Sequence, residues 1–279
     1  MLAGVMKRVL TGAVLIPLVI DLILRGPFPL MFLVAALAAE LAMWEYLAMA
    51  DAYGAKTARL PALGAIAFLF AATAFDEQLA APALLFCSIV LFTVAVIRSP
   101  LPRLIPDVAF AVFGLIYVGL GLMTIPLLAS REDGRPLLLF LFCVVWSGDI
   151  AALYAGRAFG RRKLAPILSP KKTWEGGAAS LAASLLAAAA LVYLARGLEA
   201  RAIFTLAYRG PLLPWLGLAA LLNVAAQAGD LFESALKRGC GVKDSGALLP
   251  GHGGVLDRID ALLLAAPALW YAQLIQQYF

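Results

Sequence analysis

Long apolar runs recur along this sequence of 279 residues, and they constrain its fold more than any other feature. Hydrophobic residues make up 63% of the chain and charged residues 14%, whereas about 25% charged is usual in soluble domains. So little polar sequence cannot cover so much apolar surface in water, so lipid must cover part of it. The sequence therefore predicts an all-α, polytopic integral membrane protein.

Nine runs approach the roughly 20 apolar residues that a membrane-spanning helix needs. The predicted helices cover residues 9–25, 28–49, 61–75, 79–97, 108–129, 137–158, 174–195, 212–235 and 260–278. The first run follows a basic start, as in a signal peptide. No small-residue cleavage pattern follows that run, so we interpret it as a retained first helix.

The distribution of basic residues predicts the orientation of the chain. With nine spans, the N-terminus and even-numbered loops hold 16 of the 22 Lys and Arg residues, and the odd-numbered loops hold 6. Because cytoplasmic loops are enriched in Lys and Arg, the N-terminus is predicted to be cytoplasmic and the C-terminus outside. Ten of the 16 lie in two loops, 157–173 and 236–259. Anionic lipid at the membrane surface or a polyanionic substrate would explain this excess.

Two polar segments stand out before residue 180. The segment WSGDIAALYAGRAFGRRK places Asp149 inside the sixth predicted helix, where a carboxylate is either functional or a structural partner. In LSPKKTWEGG, Ser169 suits a helix N-cap and Pro170 the first helical position. The free N–H groups of that helix end, with Lys171 and Lys172, are predicted to bind an anion. The alternative is a capped helix with a lysine pair that only sets topology.

The densest polar segment covers residues 223–260. Helical spacing places four polar side chains on one stripe of the eighth predicted helix, namely Gln227, Asp230, Ser234 and Lys237. Asp257 and Asp260 are predicted to share a face at the start of the ninth helix, behind a glycine-rich loop that lets backbone approach a ligand. Asp230 and Asp257 are thus predicted to reach the same inner rim. Carboxylates of this kind suit Mg²⁺, which completes its shell with substrate phosphates.

Three other titratable residues carry weaker signals. His252 is the chain's single histidine, and one histidine is a poor basis for zinc, which takes three or four ligands. No nucleophile pairs with it, so we interpret it as a loop-organising residue rather than a general base. Glu40 and Glu45, in the second predicted helix, have no accompanying motif and are interpreted as packing or pairing residues.

Taken together, these segments resemble the phosphatidate cytidylyltransferase (CDP-diacylglycerol synthase) family. The family signature runs S-x-x-K-R-x4-K-D, a short spacer, then H-G-G-x-x-D-R-x-D. The stretch SALKRGCGVKDSGALLPGHGGVLDRID, residues 234–260, matches it at every signature position. The segments WSGD and SPKKTWEG also resemble family motifs, so the specific match covers about residues 146–260. The N-terminal helices fit only in being hydrophobic.

The resemblance implies a membrane enzyme of phospholipid biosynthesis that converts CTP and phosphatidic acid to CDP-diacylglycerol and pyrophosphate. It implies Mg²⁺, with a monovalent cation such as K⁺ beside it, and a bacterial-type inner membrane with the active site facing the cytoplasm. The chain would then divide into N-terminal transmembrane helices, 1–135, and a catalytic transmembrane region, 136–279. No nucleic-acid partner is expected, and a homodimer is a base-rate expectation.

The resemblance and the residue chemistry assign roles to the polar side chains. The expected metal ligands are Asp230 and Asp257, with Asp149, Asp244 and Asp260 as supporting or secondary ligands. The expected binders of triphosphate or lipid phosphate are Ser169, Lys171, Lys172 and Thr173, joined by Ser234 and His252. The cations expected to neutralise phosphates are Lys237, Arg238, Lys243 and Arg258, although Arg258 equally suits a structural partner of a neighbouring aspartate. The catalytic set is Asp230, Asp257, Lys237, Arg238 and Asp260.

Two other classes of function stay open at the level of sequence. A CTP-dependent polyprenol or phytol kinase would share the basic loops and Mg²⁺, but it would attack the γ-phosphorus and release CDP. A transporter would place polar residues across the depth of the membrane, whereas here they gather on the predicted cytoplasmic side. A phosphate-monoester nucleophile, with a second pKa of about 6, is already anionic at neutral pH, so the lack of a catalytic triad does not count against an enzyme.

Overall fold

The computed structural model of the chain describes residues 2–201, 203, 206, 208–246 and 253–276, with side chains from residue 14 onward. His252 lies outside the described residues, so its predicted role stays a prediction. Helices dominate the described part. The only strands among the described residues form one short hairpin between two long helices.

The helices have the following bounds: α1 Leu2–Arg25, α2 Phe28–Tyr53, α3 Arg59–Phe75, α4 Ala80–Arg98, α5 Leu101–Gly114, α6 Gly121–Ala129, α7 Gly134–Phe159, α8 Trp174–Glu199, α9 Leu212–Gly239, α10 Leu256–Ile259 and α11 Leu262–Gln276. One turn of 3-10 helix, Glu77–Leu79, precedes α4, and a π-helical stretch, Leu115–Leu120, joins α5 to α6. The strands are β1 Lys163–Ala165 and β2 Ser169–Thr173. Each of the nine predicted runs overlaps a helix of the structure.

Six helical segments are long and apolar enough to cross a membrane, judged by length and composition among the described residues. They are Phe28–Tyr53, Glu77–Arg98, Leu101–Ala129, Gly134–Phe159, Trp174–Glu199 and Leu212–Gly239. Two further apolar helices, α3 and α11, are shorter. The chain is thus a helical protein with six candidate spans, and the count of nine and the orientation stay predictions.

The chain divides into two compact units. The first unit comprises Met1–Leu22, Gly26–Leu127 and Ala235–Ile259, and the second comprises Ile23–Arg25, Leu128–Ser234 and Asp260–Phe279. Helix α9 therefore contributes its long N-terminal part to the second unit and its last turn to the first.

Helices α2 to α6 form the core of the first unit, where aromatic and aliphatic side chains are fully buried. Tyr46, Met43 and Phe70 are among the largest of these. Gly114 lies against the Tyr46 ring, and a Cβ at this position would come within 2.6 Å of a ring carbon. The glycine therefore lets α5 approach α2 closely, as small residues do in membrane bundles.

Helices α7 and α8 pack closely in the second unit, also through glycines. A Cβ at Gly176 of α8 would lie 3.0 Å from the Ala152 carbonyl oxygen of α7 and 3.3 Å from the Gly156 Cα. This contact brings the start of α8, and the β1–β2 hairpin before it, against the end of α7.

The predicted helix start at Ser169 and Pro170 is wrong. These residues belong to β2, which pairs antiparallel with β1 in the register Lys163 with Thr173 and Ala165 with Ser169. Pro170 is tolerated because both strands of a two-stranded sheet are edge strands. Helix α8 begins at Trp174, and its N-cap is Thr173, whose Oγ1 accepts a hydrogen bond from the Gly176 N–H at 3.2 Å.

The predicted shared helical face of Asp257 and Asp260 is also wrong. Asp257 lies in α10, whereas Asp260 lies in the turn before α11, and the two residues belong to different units. The Asp260 carboxylate accepts a hydrogen bond from the Ala261 N–H at 2.8 Å, a local bond that competes with helix continuation. In addition, the Asp260 carbonyl packs on Gly229, where a Cβ would lie only 2.5 Å away.

Candidate active site

A buried polar network links α7, α8 and α9 in the second unit. Asn223 Nδ2 donates to the Ser180 and Ser184 hydroxyls at 2.8 and 2.9 Å, and Ser184 donates to the Val144 carbonyl at 2.7 Å. Gly148 faces this network, because a Cβ there would lie 2.7 Å from Asn223 Nδ2. Hydrogen bonds between helices help to hold membrane bundles together. They fix α7 against α9 at the residue that precedes Asp149.

This network was not predicted from the sequence. Two serines four residues apart in an alanine-rich helix, Ser180 and Ser184, were the available signal, together with the isolated Asn223 in an apolar run. Gln227, which the analysis placed on the polar stripe of this helix, donates to Asn223 Oδ1 at 2.6 Å. Gln227 therefore has a structural role, and the next residue of the stripe, Asp230, is charged.

Asp230 and Lys172 form the central ion pair of the second unit. Lys172 Nζ lies 2.7 Å from Asp230 Oδ2, and the two side chains are 22% and 39% exposed. Asp149 interacts electrostatically with both members of the pair. Alternation along β2 separates the two lysines, since Lys172 is half-buried whereas Lys171 beside it is exposed.

Asp260 adds a further carboxylate to this cluster. It interacts electrostatically with Asp230, Glu233 and Asp149. Burial first, and then the negative charge of Asp230 and Glu233, raises the pKa of Asp260, which lies in the turn outside the membrane-spanning helices. The fold therefore brings Asp149 and Asp260, from two other chain segments, within electrostatic range of Asp230, which pairs with Lys172.

The carboxylates of this cluster are chemically suited to a hard cation. Among the described residues, no three His, Cys, Asp or Glu side chains form a group that would hold a metal on protein ligands alone. Mg²⁺ needs no such group, because it commonly binds one or two carboxylates and completes its shell with water and substrate phosphates. Carboxylates that repel one another beside a single lysine fit that requirement.

Glu175 fixes the hairpin that carries Lys172. Its carboxylate accepts hydrogen bonds from the Arg161 and Arg162 N–H groups at 3.1 and 3.2 Å, and the Trp174 N–H donates to the Arg162 carbonyl at 3.0 Å. The turn before β1 is therefore tied to the first turn of α8. Glu175 lies within LSPKKTWEGG, but no role was predicted for it from the sequence.

In the first unit, Asp257 is held by three donors. Lys237 Nζ lies 2.6 Å from Oδ1, while the Ser245 and Gly254 N–H groups donate to Oδ2 at 3.1 and 2.8 Å. The Lys237 and Asp257 side chains are only 13% and 9% exposed. The cation on Asp257 is thus Lys237, from the end of α9, and the adjacent Arg258 is exposed.

Glu45 organises the same loop from α2. It is 2% exposed and accepts hydrogen bonds from the Ser245 hydroxyl at 3.1 Å and from the Val255 and Leu256 N–H groups at 3.0 and 2.9 Å. A carboxylate at this position satisfies the free N–H groups at the start of α10. The interpretation of Glu45 as a pairing residue is confirmed, but its partners lie about 200 residues away, beyond the reach of sequence patterns.

Glycine is required beside Glu45. A Cβ at Gly254 would overlap the Glu45 carboxylate and the Ser245 hydroxyl, and one at Gly246 would lie 2.5 Å from Glu45 Oε1. The glycines of the signature loop therefore make room for a protein carboxylate at these two positions.

The remaining predicted residues of this segment lie at the surface. Arg238 donates to the Val242 carbonyl at 3.2 Å, and Arg238, Lys243 and Asp244 are exposed. Ser234 lies within α9. Asp230 and Asp257 belong to different units, so their predicted meeting at one rim stays a prediction.

Comparison with known proteins adds independent information. The sequence profile of the Cytidylyltransferase family matches residues 6–275. A phosphatidate cytidylyltransferase of Brucella suis biovar 1 (strain 1330) is 47% identical over 161 residues, which are 56% of this chain and 54% of that protein. One of Staphylococcus haemolyticus (strain JCSC1435) is 40% identical over 165 residues, 58% of each chain. One of Rickettsia felis (strain ATCC VR-1525 / URRWXCal2) is 35% identical over 169 residues, 61% of this chain and 72% of that protein. The matched stretch thus spans about half the length of the Brucella relative.

Proposed function

Because this chain belongs to the Cytidylyltransferase family, we propose that it is a phosphatidate cytidylyltransferase, which makes CDP-diacylglycerol and pyrophosphate from CTP and phosphatidic acid. The observation that carries the proposal is the Lys172–Asp230 pair beside Asp149 and Asp260. It combines a phosphate-binding cation with acidic oxygens that suit Mg²⁺. The relatives that share part of this sequence bear the name phosphatidate cytidylyltransferase.

The proposed reaction forms one bond and breaks another at the same phosphorus. A phosphate oxygen of phosphatidic acid attacks the α-phosphorus of CTP, the bond to the β-phosphate breaks, and pyrophosphate leaves with the electron pair. The attacking phosphate is already anionic near neutral pH, so no strong general base is needed. The main barrier is the approach of two polyanions, which fixed cations lower by neutralising charge.

We assign that neutralisation to the lysines and arginines of the two basic loops. Lys172 is half-buried on Asp230 and Lys171 is exposed beside it, so both are placed to bind a phosphate of CTP or of the lipid. Lys237, Arg238 and Arg258 are assigned to the same task in the other segment. Ser169, Thr173, Ser234, Lys243 and His252 complete the proposed substrate-binding set.

Mg²⁺, when bound, would neutralise the triphosphate and hold its oxygens in a fixed arrangement. We assign it to Asp230, supported by Asp149 and Asp260, and to Asp257, with Asp244 as a secondary ligand. A second cation such as K⁺ belongs to the same proposal. The chain's own contribution is to place Lys172 beside Asp230 and Lys237 beside Asp257.

The proposed topology has nine spans, a cytoplasmic N-terminus, an external C-terminus and an active site that faces the cytoplasm of a bacterial-type inner membrane. The charge asymmetry of 16 against 6 Lys and Arg residues supports it. In this arrangement phosphatidic acid enters from the bilayer, while CTP and pyrophosphate exchange with the cytoplasm. A homodimer is proposed on general grounds.

The proposal is tested with purified protein in detergent, Mg²⁺, phosphatidic acid and CTP labelled at the α-phosphate. We expect the label in CDP-diacylglycerol and one pyrophosphate released per lipid product. Release of CDP with phosphorylation of a lipid alcohol would instead identify a kinase. Absence of turnover with every lipid offered would contradict an enzymatic function, and a reaction without phosphatidic acid serves as the background.

A further inference from the structure

A cavity lies in the first unit, and none of the residues that line it belongs to a signature segment. Its volume is about 220 Å³, and it lies where the loop after α2 meets the end of α4 and the start of α5. The polar side chains that line it are Lys56, Thr57, Arg98, Ser99 and Asp107. Leu91, Val94, Ala95 and Ala111 form its apolar wall. Such a volume is far larger than one water molecule requires.

Asp107 builds the frame of this cavity. It is 2% exposed, and its two oxygens accept hydrogen bonds from the Lys56 N–H at 2.8 Å and from the Ser99 hydroxyl at 2.6 Å. The carboxylate thereby clamps the loop after α2 to the residue that follows α4. Because each of its oxygens already accepts a hydrogen bond from the protein, Asp107 has a structural role in the site.

Thr57 supplies a donor that the protein itself does not use. Its side chain is 8% exposed, and its hydroxyl is buried with no hydrogen-bond partner among the described residues. Leaving a hydroxyl buried without a partner has a free-energy cost, because the group has lost its hydrogen bonds to water. Thr57 helps to line the cavity, and an acceptor atom within reach of its hydroxyl would remove that cost.

The charges of the cavity favour an anion. Lys56 and Arg98 lie at its rim with exposed side chains, and neither forms an ion pair among the described residues. The neighbouring Arg59 is engaged elsewhere, since its guanidinium lies 2.5 Å from Asp51 and over the Trp44 ring. Two cations and the Asp107 carboxylate leave a net charge that matches a singly charged phosphodiester.

The surroundings of the cavity identify the source of that phosphate. Ile97, in the last turn of α4, is 77% exposed, and Leu101 and Ile105, in the first turns of α5, are 85% and 72% exposed. Large aliphatic side chains of a membrane protein expose this much surface where acyl chains cover them. A ligand that reaches the rim along these helices therefore comes from the bilayer.

We propose that this cavity binds the phosphodiester headgroup of an anionic glycerophospholipid, with Lys56, Arg98 and the Thr57 hydroxyl as its donors. The apolar wall accepts the glycerol and the first methylenes of the acyl chains, while Asp107 keeps the donors in place. The site is separate from the proposed CTP chemistry, so it is tested by binding rather than by turnover.

The experiment measures binding of phosphatidylglycerol to the full chain in detergent by native mass spectrometry. A Lys56→Gln, Arg98→Gln double variant is expected to lower the affinity about tenfold or more, since a hydrogen bond to a charged group contributes about 1.5–3 kcal/mol. Arg103→Gln is the matched control, because Arg103 lies in α5, the helix that also carries Asp107, but does not line the cavity. It is expected to bind phosphatidylglycerol like the wild type.

A second variant keeps the test valid if the double variant folds poorly. Thr57→Val has the same shape and removes a hydroxyl that has no partner, so it should not lower the lipid-free melting temperature while it weakens lipid binding several-fold. Equal binding of phosphatidylcholine would overturn the role of the cations. Displacement of phosphatidylglycerol by millimolar inorganic phosphate would contradict a lipid as the ligand. Unchanged binding of phosphatidylglycerol in both variants would contradict the proposed site.

Discussion

The sequence predicts the same role, metal binding, for Asp230 and Asp257, but the surroundings of the two side chains differ in the structure. Asp257 is 9% exposed and accepts hydrogen bonds from an ammonium and two backbone N–H groups. Asp230 is 39% exposed and is paired with one lysine, in a cluster where Asp149 and Asp260 add like charge. One carboxylate is satisfied by the protein, and the other is crowded by negative charge and open to the outside.

This difference indicates two different roles, one structural and one in ligand binding. The Asp257 carboxylate joins Ser245 to Gly254 and so has a structural role, as does Glu45, which binds Ser245 and Leu256. An exposed carboxylate among others is stabilised by a cation that comes from outside the chain. We therefore infer that Asp230 contributes more to ligand binding than to folding, and that Asp257 contributes strongly to both.

The largest effect is expected for Asp230→Asn. Turnover of CTP and phosphatidic acid should fall about 10³-fold, since removal of one charge that acts on the reacting phosphates has effects of this size. The melting temperature in detergent should change little, because an exposed ion pair contributes about 0–1 kcal/mol. Turnover near that of the wild type would refute a metal or substrate role for Asp230.

Asp257→Asn should give the next largest effect, which is a loss of stability. It removes the negative charge 2.6 Å from Lys237 Nζ, in a pair whose side chains are 13% and 9% exposed, and loss of one partner of a buried pair costs about 3–5 kcal/mol. We expect a lower melting temperature together with lost turnover. Lys237→Met with Asp257→Leu, which removes both charges, should recover part of the stability but none of the activity.

Gly254→Ala tests whether the frame around Asp257 is as tight as the structure indicates. The new Cβ would overlap the Glu45 carboxylate, so a loss of about 1–3 kcal/mol is expected. Gly239→Ala is the control, because no atom lies within 4 Å of the position that its Cβ would occupy and the residue ends α9. Equal melting temperatures of the two variants would contradict the packing of Glu45 on the loop.

The smallest effect in this series is expected for Thr173→Ala, in the unit that contains Asp230. Loss of an N-cap hydroxyl costs about 1 kcal/mol, and a chain of this size should melt only a few degrees lower. Because Thr173 follows Lys172 directly, the KM for CTP should rise more than kcat falls. Ser169→Ala, which the sequence favoured as the cap, should leave the melting temperature unchanged.

Much of the architecture could be predicted because bilayer dimensions act on local sequence. Each of the nine apolar runs overlaps a helix, and six segments are long enough to be candidate spans. The errors occurred where the local signal was ambiguous. Ser169 and Pro170 suit both a helix start and an edge strand, and only pairing with β1 distinguishes the two. The spacing of Asp257 and Asp260 predicted one helical face, but the contact of the Asp260 backbone with Gly229 placed a turn between them.

The sequence by itself determined the class of protein, the ionisable residues available for chemistry and the segments that carry them, because these depend on composition and short spacings. Tertiary structure decided which charges meet. Glu45 binds a loop about 200 residues away, Asn223 links three helices, and Lys172 and Lys237 each select one aspartate among several. Such choices depend on distances between segments far apart in the chain. Electrostatic and hydrogen-bond energies fall steeply with those distances, and no local pattern encodes them.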